Sequence, residues 1–122
     1  MIFVVLGIVL GIVLGIYLPI SYSPAYSLYV TMAILACIDT VVGGLKAKLN
    51  GDFDNLIFIS GFITNAFLAI ILSYSGDKLG VPLYYGAIFT FSWRVFQNLA
   101  VIRRHIIQKL RTRSLQRGKL DE

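Results

Sequence analysis

The run SLYVTMAILACIDTVVGGL, residues 27–45, carries a single charge, Asp39, and ends at Lys46. A bilayer core about 30 Å thick is crossed by roughly 20 apolar residues in an α-helix, so the run has the length and composition of a span. A carboxylate inside such a span costs about 2.5–3.5 kcal/mol on insertion scales. Asp39 therefore needs a partner or a use, and three further apolar runs lie around it in which to find one.

Outward from this run, residues 2–20 are apolar and uncharged, closing at Pro19 and the turn-rich Ser21-Tyr22-Ser23-Pro24. Residues 56–75 follow the Asn50-Gly51 turn signal, with Asp54 or Asn55 placed to cap a helix. They stop at Gly76-Asp77-Lys78-Leu79-Gly80. Residues 82–103 begin at Pro82, which suits a first helical turn, and end at Arg103-Arg104. No segment alternates as a strand would. The chain of 122 residues is 57% hydrophobic and 14% charged, with a mean hydropathy of +0.80, more apolar than a water-soluble domain. These features predict an all-α polytopic membrane protein, with four transmembrane helices in residues 1–104 and a basic cytoplasmic extension over 105–122.

The net charge of +5 belongs to the stretch from Arg103 to the end of that extension. Arg103, Arg104, Lys109, Arg111, Arg113, Arg117 and Lys119 stand there against Asp121 and Glu122, while the rest of the chain balances. Basic residues near span ends favour the cytoplasmic face. The extension and the loop with Lys46 and Lys48 then lie inside, and four crossings put both termini in the cytoplasm. Ser23-Pro24-Ala25 resembles a signal-cleavage site, but no Lys or Arg precedes the first run. That run also exceeds the roughly 7–15 residues of a signal core, so it reads as a retained helix. Two readings of the extension stay open. With Ile106, Ile107, Leu110 and Leu115 along one side it is a helix lying on anionic lipid; otherwise it is a solvated, partly disordered segment. Arg103, Arg104, Lys109, Arg111 and Arg113 are the residues expected to bind lipid or a partner. No nucleic-acid recognition module accompanies the charge, and no nucleic acid is expected.

Each run also carries a row of small or polar residues at four-residue spacing, which places them on one helix face. The rows are Gly7, Gly11 and Gly15; Thr31, Leu35, Asp39 and Gly43; Gly61, Asn65, Ala69 and Ser73; and Gly86, Thr90, Arg94 and Asn98. Lipid does not drive helices together as water does, so close approach at small residues and hydrogen bonds between helices take that part. Gly7, Gly11, Gly15, Gly43, Gly61 and Gly86 are thus the expected packing positions. Counted from Lys46 and Arg103, Asp39 lies about 10 Å deep and Arg94 about 13 Å, and Asn65 lies about 13 Å from the start of its own run. The expected cluster pairs Asp39 with Arg94, with Asn65 and Asn98 satisfying the remaining donors and acceptors and Gln97 adjacent but off the row. Such a pair fixes helix register; the sharper alternative is that it lines an ion, proton or solute path. Arg94 favours the first reading, since a guanidinium stays charged and grips a carboxylate.

Catalytic groups are scarce. The short loops hold no phosphate-binding glycine loop and no nucleophile elbow. Cys37 and His105 are too isolated to hold a metal. No catalytic residue, cofactor or metal is expected, and the chain reads as a non-enzyme. Cys37 reads as packing, and Asp52 and Asp54 as turn residues. Tyr17, Tyr22, Tyr26, Tyr29, Tyr84 and Tyr85 read as an aromatic belt at the outer interface.

Three blocks, residues 38–47 (IDTVVGGLKA), residues 58–62 (FISGF) with Asn65, and residues 94–104 (RVFQNLAVIRR), resemble the bacterial small basic protein family along essentially the whole chain. The resemblance implies an integral membrane protein without an established activity, found mainly in Gram-positive lineages and often encoded beside cell-division and cell-wall genes. It carries over no catalytic residue. Small multidrug transporters need a carboxylate in the first span, which is uncharged here. The glycine and arginine pattern of dual-topology fluoride channels is also unmatched. The expectation is a non-enzymatic component of a cell-envelope or division-associated assembly in the bacterial cell membrane. It would contact anionic lipid through its extension and associate with itself or a membrane partner. The alternative is a small channel or transporter using Asp39, Asn65, Arg94 and Asn98.

Overall fold

The computed structural model describes residues 2–18, 21 and 23–122, the Ala25 side chain excepted. Four α-helices follow in order: α1 (Ile2–Tyr17), α2 (Pro24–Asn50), α3 (Asn55–Leu79) and α4 (Tyr84–Leu120). The stop expected at Pro19 and the belt residue Tyr22 lie outside the described residues. Helix α2 is longer than residues 27–45 at both ends. Pro24 opens it at a position where its missing N–H costs nothing, and Lys46 and Lys48 sit inside its last turns.

The expected four transmembrane helices require correction. Among the described residues only Tyr26–Asn50 and Asn55–Leu79 are long and apolar enough to cross a membrane. Helix α1 has 16 residues, or about 24 Å at helical rise, short of a hydrocarbon core of about 30 Å. Helix α4 is long enough but too polar, because Arg94, Gln97 and Asn98 interrupt its first half and the basic run fills its second. It continues unbroken to Leu120 over 37 residues, so residues 105–120 are helical and continuous with the packed part. Leu115 lies about two and a half turns beyond Ile106 and so faces the opposite way. The four apolar residues of the extension therefore do not share one side.

Helix α2 packs against both α3 and α4, which touch each other less. The core is Met32, Ala36, Ala69, Ala87 and Phe91, with Leu35, Leu72, Tyr84 and Ile88 against it. Alanines facing one methionine and one phenylalanine let three helices approach closely while two larger side chains fill the seam. That seam runs through Met32, Ala36, Thr40 and Gly44 on α2, one position away from the expected Thr31–Gly43 row. Thr31 is exposed and its hydroxyl donates back to the Ser27 carbonyl at 2.8 Å. On α3, Ala69, Ser73 and Gly76 are buried. On α4, Ala87, Phe91 and Ile102 are buried, whereas Gly86, Thr90 and Arg94 are exposed. No described residue of α1 is buried.

The turns close as local chemistry dictates. Gly51, at φ 79°, caps α2 and donates to the Ala47 and Lys48 carbonyls, a left-handed conformation that side-chain-bearing residues resist. Asp54 then caps α3 by accepting from the Ile57 N–H at 3.0 Å. Gly80, at φ 66°, ends α3. At that far end the Tyr29 hydroxyl donates to Asp77 Oδ2, tying α2 to α3.

Candidate functional site

Asp39 is fully buried. Its position on α2 faces the junction of α3 and α4, and each supplies a donor. Asn65 Nδ2 donates to Asp39 Oδ2 at 3.2 Å, and Arg94 Nη1 lies 3.4 Å from the same oxygen. One carboxylate oxygen thus ties three helices. The ion pair is long beside the roughly 2.7–2.9 Å of a charge-assisted hydrogen bond. Asp39 Oδ1 is buried and has no hydrogen-bond partner among the described residues. The Arg94 side chain is 47% exposed, so its guanidinium keeps solvent-facing donors of its own.

These residues stand in a cleft of about 640 Å³ between α2, α3 and α4, at the end where α2 turns into α3. Thr40, Gly43, Asn98 and Gln97 continue the polar wall, with Lys46, Asn50, Asp52 and Asp54 nearer the turn. Asn98 does not reach Asp39; its amide nitrogen lies 3.5 Å from where a Cβ on Gly43 would stand. Phe53 and Phe58 form the apolar side, their rings 5.6 Å apart and tilted. Phe58 lies directly on the backbone at Gly44, where an added Cβ would come within 2.6 Å of the ring. His105 Nε2 donates to Asn50 Oδ1 at 2.5 Å, so the start of the basic extension is pinned to the α2–α3 turn.

Of the glycines expected to mediate packing, Gly43 alone has a neighbour at its Cβ position. A Cβ on Gly7, Gly11, Gly15, Gly61 or Gly86 would meet no atom of the described residues within 4 Å. The tightly held glycines are Gly44 and Gly76, and a Cβ on Gly76 would stand 2.6 Å from the Val81 carbonyl oxygen. Arg103, Arg104, Lys109, Arg111 and Arg113 are all exposed along α4. Sequence reasoning passed over Gly44, Thr40 and the Phe53–Phe58 pair. The Gly43-Gly44 doublet was the available signal for the first. Nothing in an isolated phenylalanine signals a wall. No group of three or more His, Cys, Asp or Glu side chains suited to a metal occurs among the described residues.

A family described as "Protein of unknown function (DUF1290)" matches residues 22–107, which take in α2, α3, the packed half of α4 and the whole cleft. The chain is 50% identical over 84 residues to the "Small basic protein" of Bacillus subtilis (strain 168), covering 69% of each chain. It is 38% identical over 80 residues to an uncharacterized protein of Mycobacterium tuberculosis (strain ATCC 25618 / H37Rv), covering 64% of this chain and 66% of that one. An uncharacterized protein of Mycobacterium bovis matches to the same extent. No solved structure matches. With the match extending over more than half its length, the chain belongs to this family of proteins of unknown function.

Proposed function

We propose that the protein is a non-enzymatic membrane component in which α2 and α3 are embedded in the bacterial cell membrane as a hairpin and the end of α4 serves a partner. The observation that carries this reading is the bareness of the two apolar helices. Only 22% and 11% of their most apolar windows are buried within the chain, whereas a core helix of a water-soluble protein is mostly buried. Exposed apolar surface of that extent needs lipid or another protein to cover it. Asp39 then fixes the register of the helices, since a misplaced partner leaves its charge unpaired in an apolar medium.

The Asn50–His105 contact puts the α2–α3 turn, with Lys46 and Lys48, at the same end as the basic run of α4. The distribution of basic residues assigns that end to the cytoplasm. Basic side chains on several faces of the extension suit an acidic protein surface or anionic headgroups. The cell-envelope or division setting is the cellular part of this proposal and rests on the family resemblance alone.

Photocrosslinking in living cells tests it, with crosslinkers at Phe67 on the exposed face of α3 and at Gln116 on the extension. The reading expects α3 to resist alkaline extraction with the membrane fraction and Gln116 to capture a second envelope protein. Release by alkali would refute the embedding, and self-crosslinks alone at both positions would refute the partner.

A further inference from the structure

We propose that the cleft beneath Asp39 is a binding site for a primary ammonium group, held by the Asp39 carboxylate and walled by Phe53 and Phe58. Four observations converge on it. Asp39 lines the cleft, is fully buried, and has one oxygen without any donor. A buried acceptor in that state is costly, and native proteins leave few of them. Arg94 does not complete the site, because it reaches only the other oxygen through a single nitrogen at 3.4 Å and keeps half its side chain exposed.

Charge selects the ligand's sign. Asp39, Asp52 and Asp54 line the cleft against Lys46 and Arg94, an excess of one negative charge in a chain whose net charge is +5. The cleft thus favours a cation. The scarcity of grouped metal ligands among the described residues disfavours a hard divalent ion, which wants several oxygen ligands. An ammonium asks less: a carboxylate, one or two amide oxygens, and an aromatic face for its cation–π attraction. Asn65 and Asn98 offer the amides, and the Phe53–Phe58 pair offers the faces. A volume of about 640 Å³ is within the range of roughly 300–1,000 Å³ usual for small-molecule sites. The same ammonium chemistry is carried by a free amine and by the headgroup of phosphatidylethanolamine.

The test uses the full chain, isotope-labelled, in nanodiscs of phosphatidylglycerol, and follows the side-chain amide signals of Asn65 and Asn98 by NMR. Titrating n-butylammonium chloride is expected to give saturable shifts that sodium chloride at equal ionic strength does not. Butyltrimethylammonium, which has no N–H to donate, is expected to bind at least tenfold more weakly. Asp39→Asn should lose at least tenfold in affinity. Phe58→Leu, which leaves the Asp39 contacts in place, should lose about threefold. Nanodiscs containing phosphatidylethanolamine distinguish the source: if the headgroup is the ligand, they show the shifted signals without added amine and block the titration. Absence of saturable shifts in both lipids overturns the proposal, as do equal responses to the two ammonium ions or undiminished binding in Phe58→Leu.

Discussion

At the residue scale the molecule turns on one oxygen atom, Asp39 Oδ2, which takes both Asn65 and Arg94. Removing one partner from a buried ion pair typically costs about 3–5 kcal/mol, more than the intact pair contributes. Arg94 is half exposed, which brings the expectation down: Arg94→Gln should destabilise the helical fold by about 2 kcal/mol, well below the fully buried case. Asp39→Asn keeps an acceptor for Asn65 and should cost about 1 kcal/mol, the worth of an ordinary hydrogen-bond change. If the two groups act as a pair, the double variant should lie close to Asp39→Asn alone, with a coupling energy of about 1–2 kcal/mol in unfolding titrations from detergent micelles. Strict additivity would mean that they are neighbours without being partners. Asp39 and Arg94 are conspicuous in the sequence because a charge in an apolar run is expensive wherever the chain goes. Phe53, Phe58 and Gly44 were not, since they acquire meaning only when α3 lies against α2. Glycines make the same point by contrast. Gly76→Ala forces a methyl against the Val81 carbonyl and should cost about 1–3 kcal/mol, as overpacking does. Gly61→Ala meets open space within this chain and should gain up to about 1 kcal/mol of helix propensity. Equal effects in thermal melts would contradict that assignment.

At the scale of elements, the sequence signals helices well and their surroundings poorly. Each of the four apolar or half-apolar runs is a helix, because long stretches without turn residues let the backbone satisfy its hydrogen bonds within one helix. Counting all four as spans failed on length for α1 and on polarity for α4. Caps were legible because their chemistry is local. Asp54 accepts from the Ile57 N–H, and Asp54→Ala should lower stability by about 1 kcal/mol, the usual worth of an N-cap. Asp54→Ser should restore most of that loss, since a hydroxyl serves the same N–H. The two variants compared by amide hydrogen exchange of Ile57 and Phe58 isolate the cap. Unchanged protection in Asp54→Ala would mean that helix packing, not the cap, holds the first turn of α3. The packing seam was not legible to the same degree. Four-residue rows nominate faces, but which row is buried depends on where Met32 and Phe91 find room. That is decided between helices and not within one.

At the scale of the whole molecule, the long α4 decides what the protein presents outside its packed part. Its 37 residues extend about 55 Å at helical rise, well beyond the roughly 30 Å of a hydrocarbon core. From Ile102, the last buried residue of the helix, to Leu120 the extension is about 27 Å. Ile106 and Leu115 point to opposite sides of it, and Arg113 and Arg117 fall near the Ile106 side, so no broad apolar face is free to lie in a membrane interface. A basic rod anchored at its base by His105 on Asn50 is the consequence, and it is distinguishable from a helix lying on the surface. Nitroxide labels placed singly at residues 106–117, in nanodiscs containing anionic lipid, should collide with a water-soluble nickel complex more readily than with dissolved oxygen from residue 110 outward, on all sides of the helix. A surface helix would instead give a 3.6-residue oscillation, with lipid-like oxygen collision at Ile106, Leu110, Arg113 and Arg117 and water-like behaviour at Leu115. His105→Ala should loosen the base of the rod, broadening label mobility beyond residue 105 without changing that near Phe91. If mobility is the same with and without the histidine, the extension is held in place by the continuity of α4 alone, and the Asn50 contact has no part in aiming it.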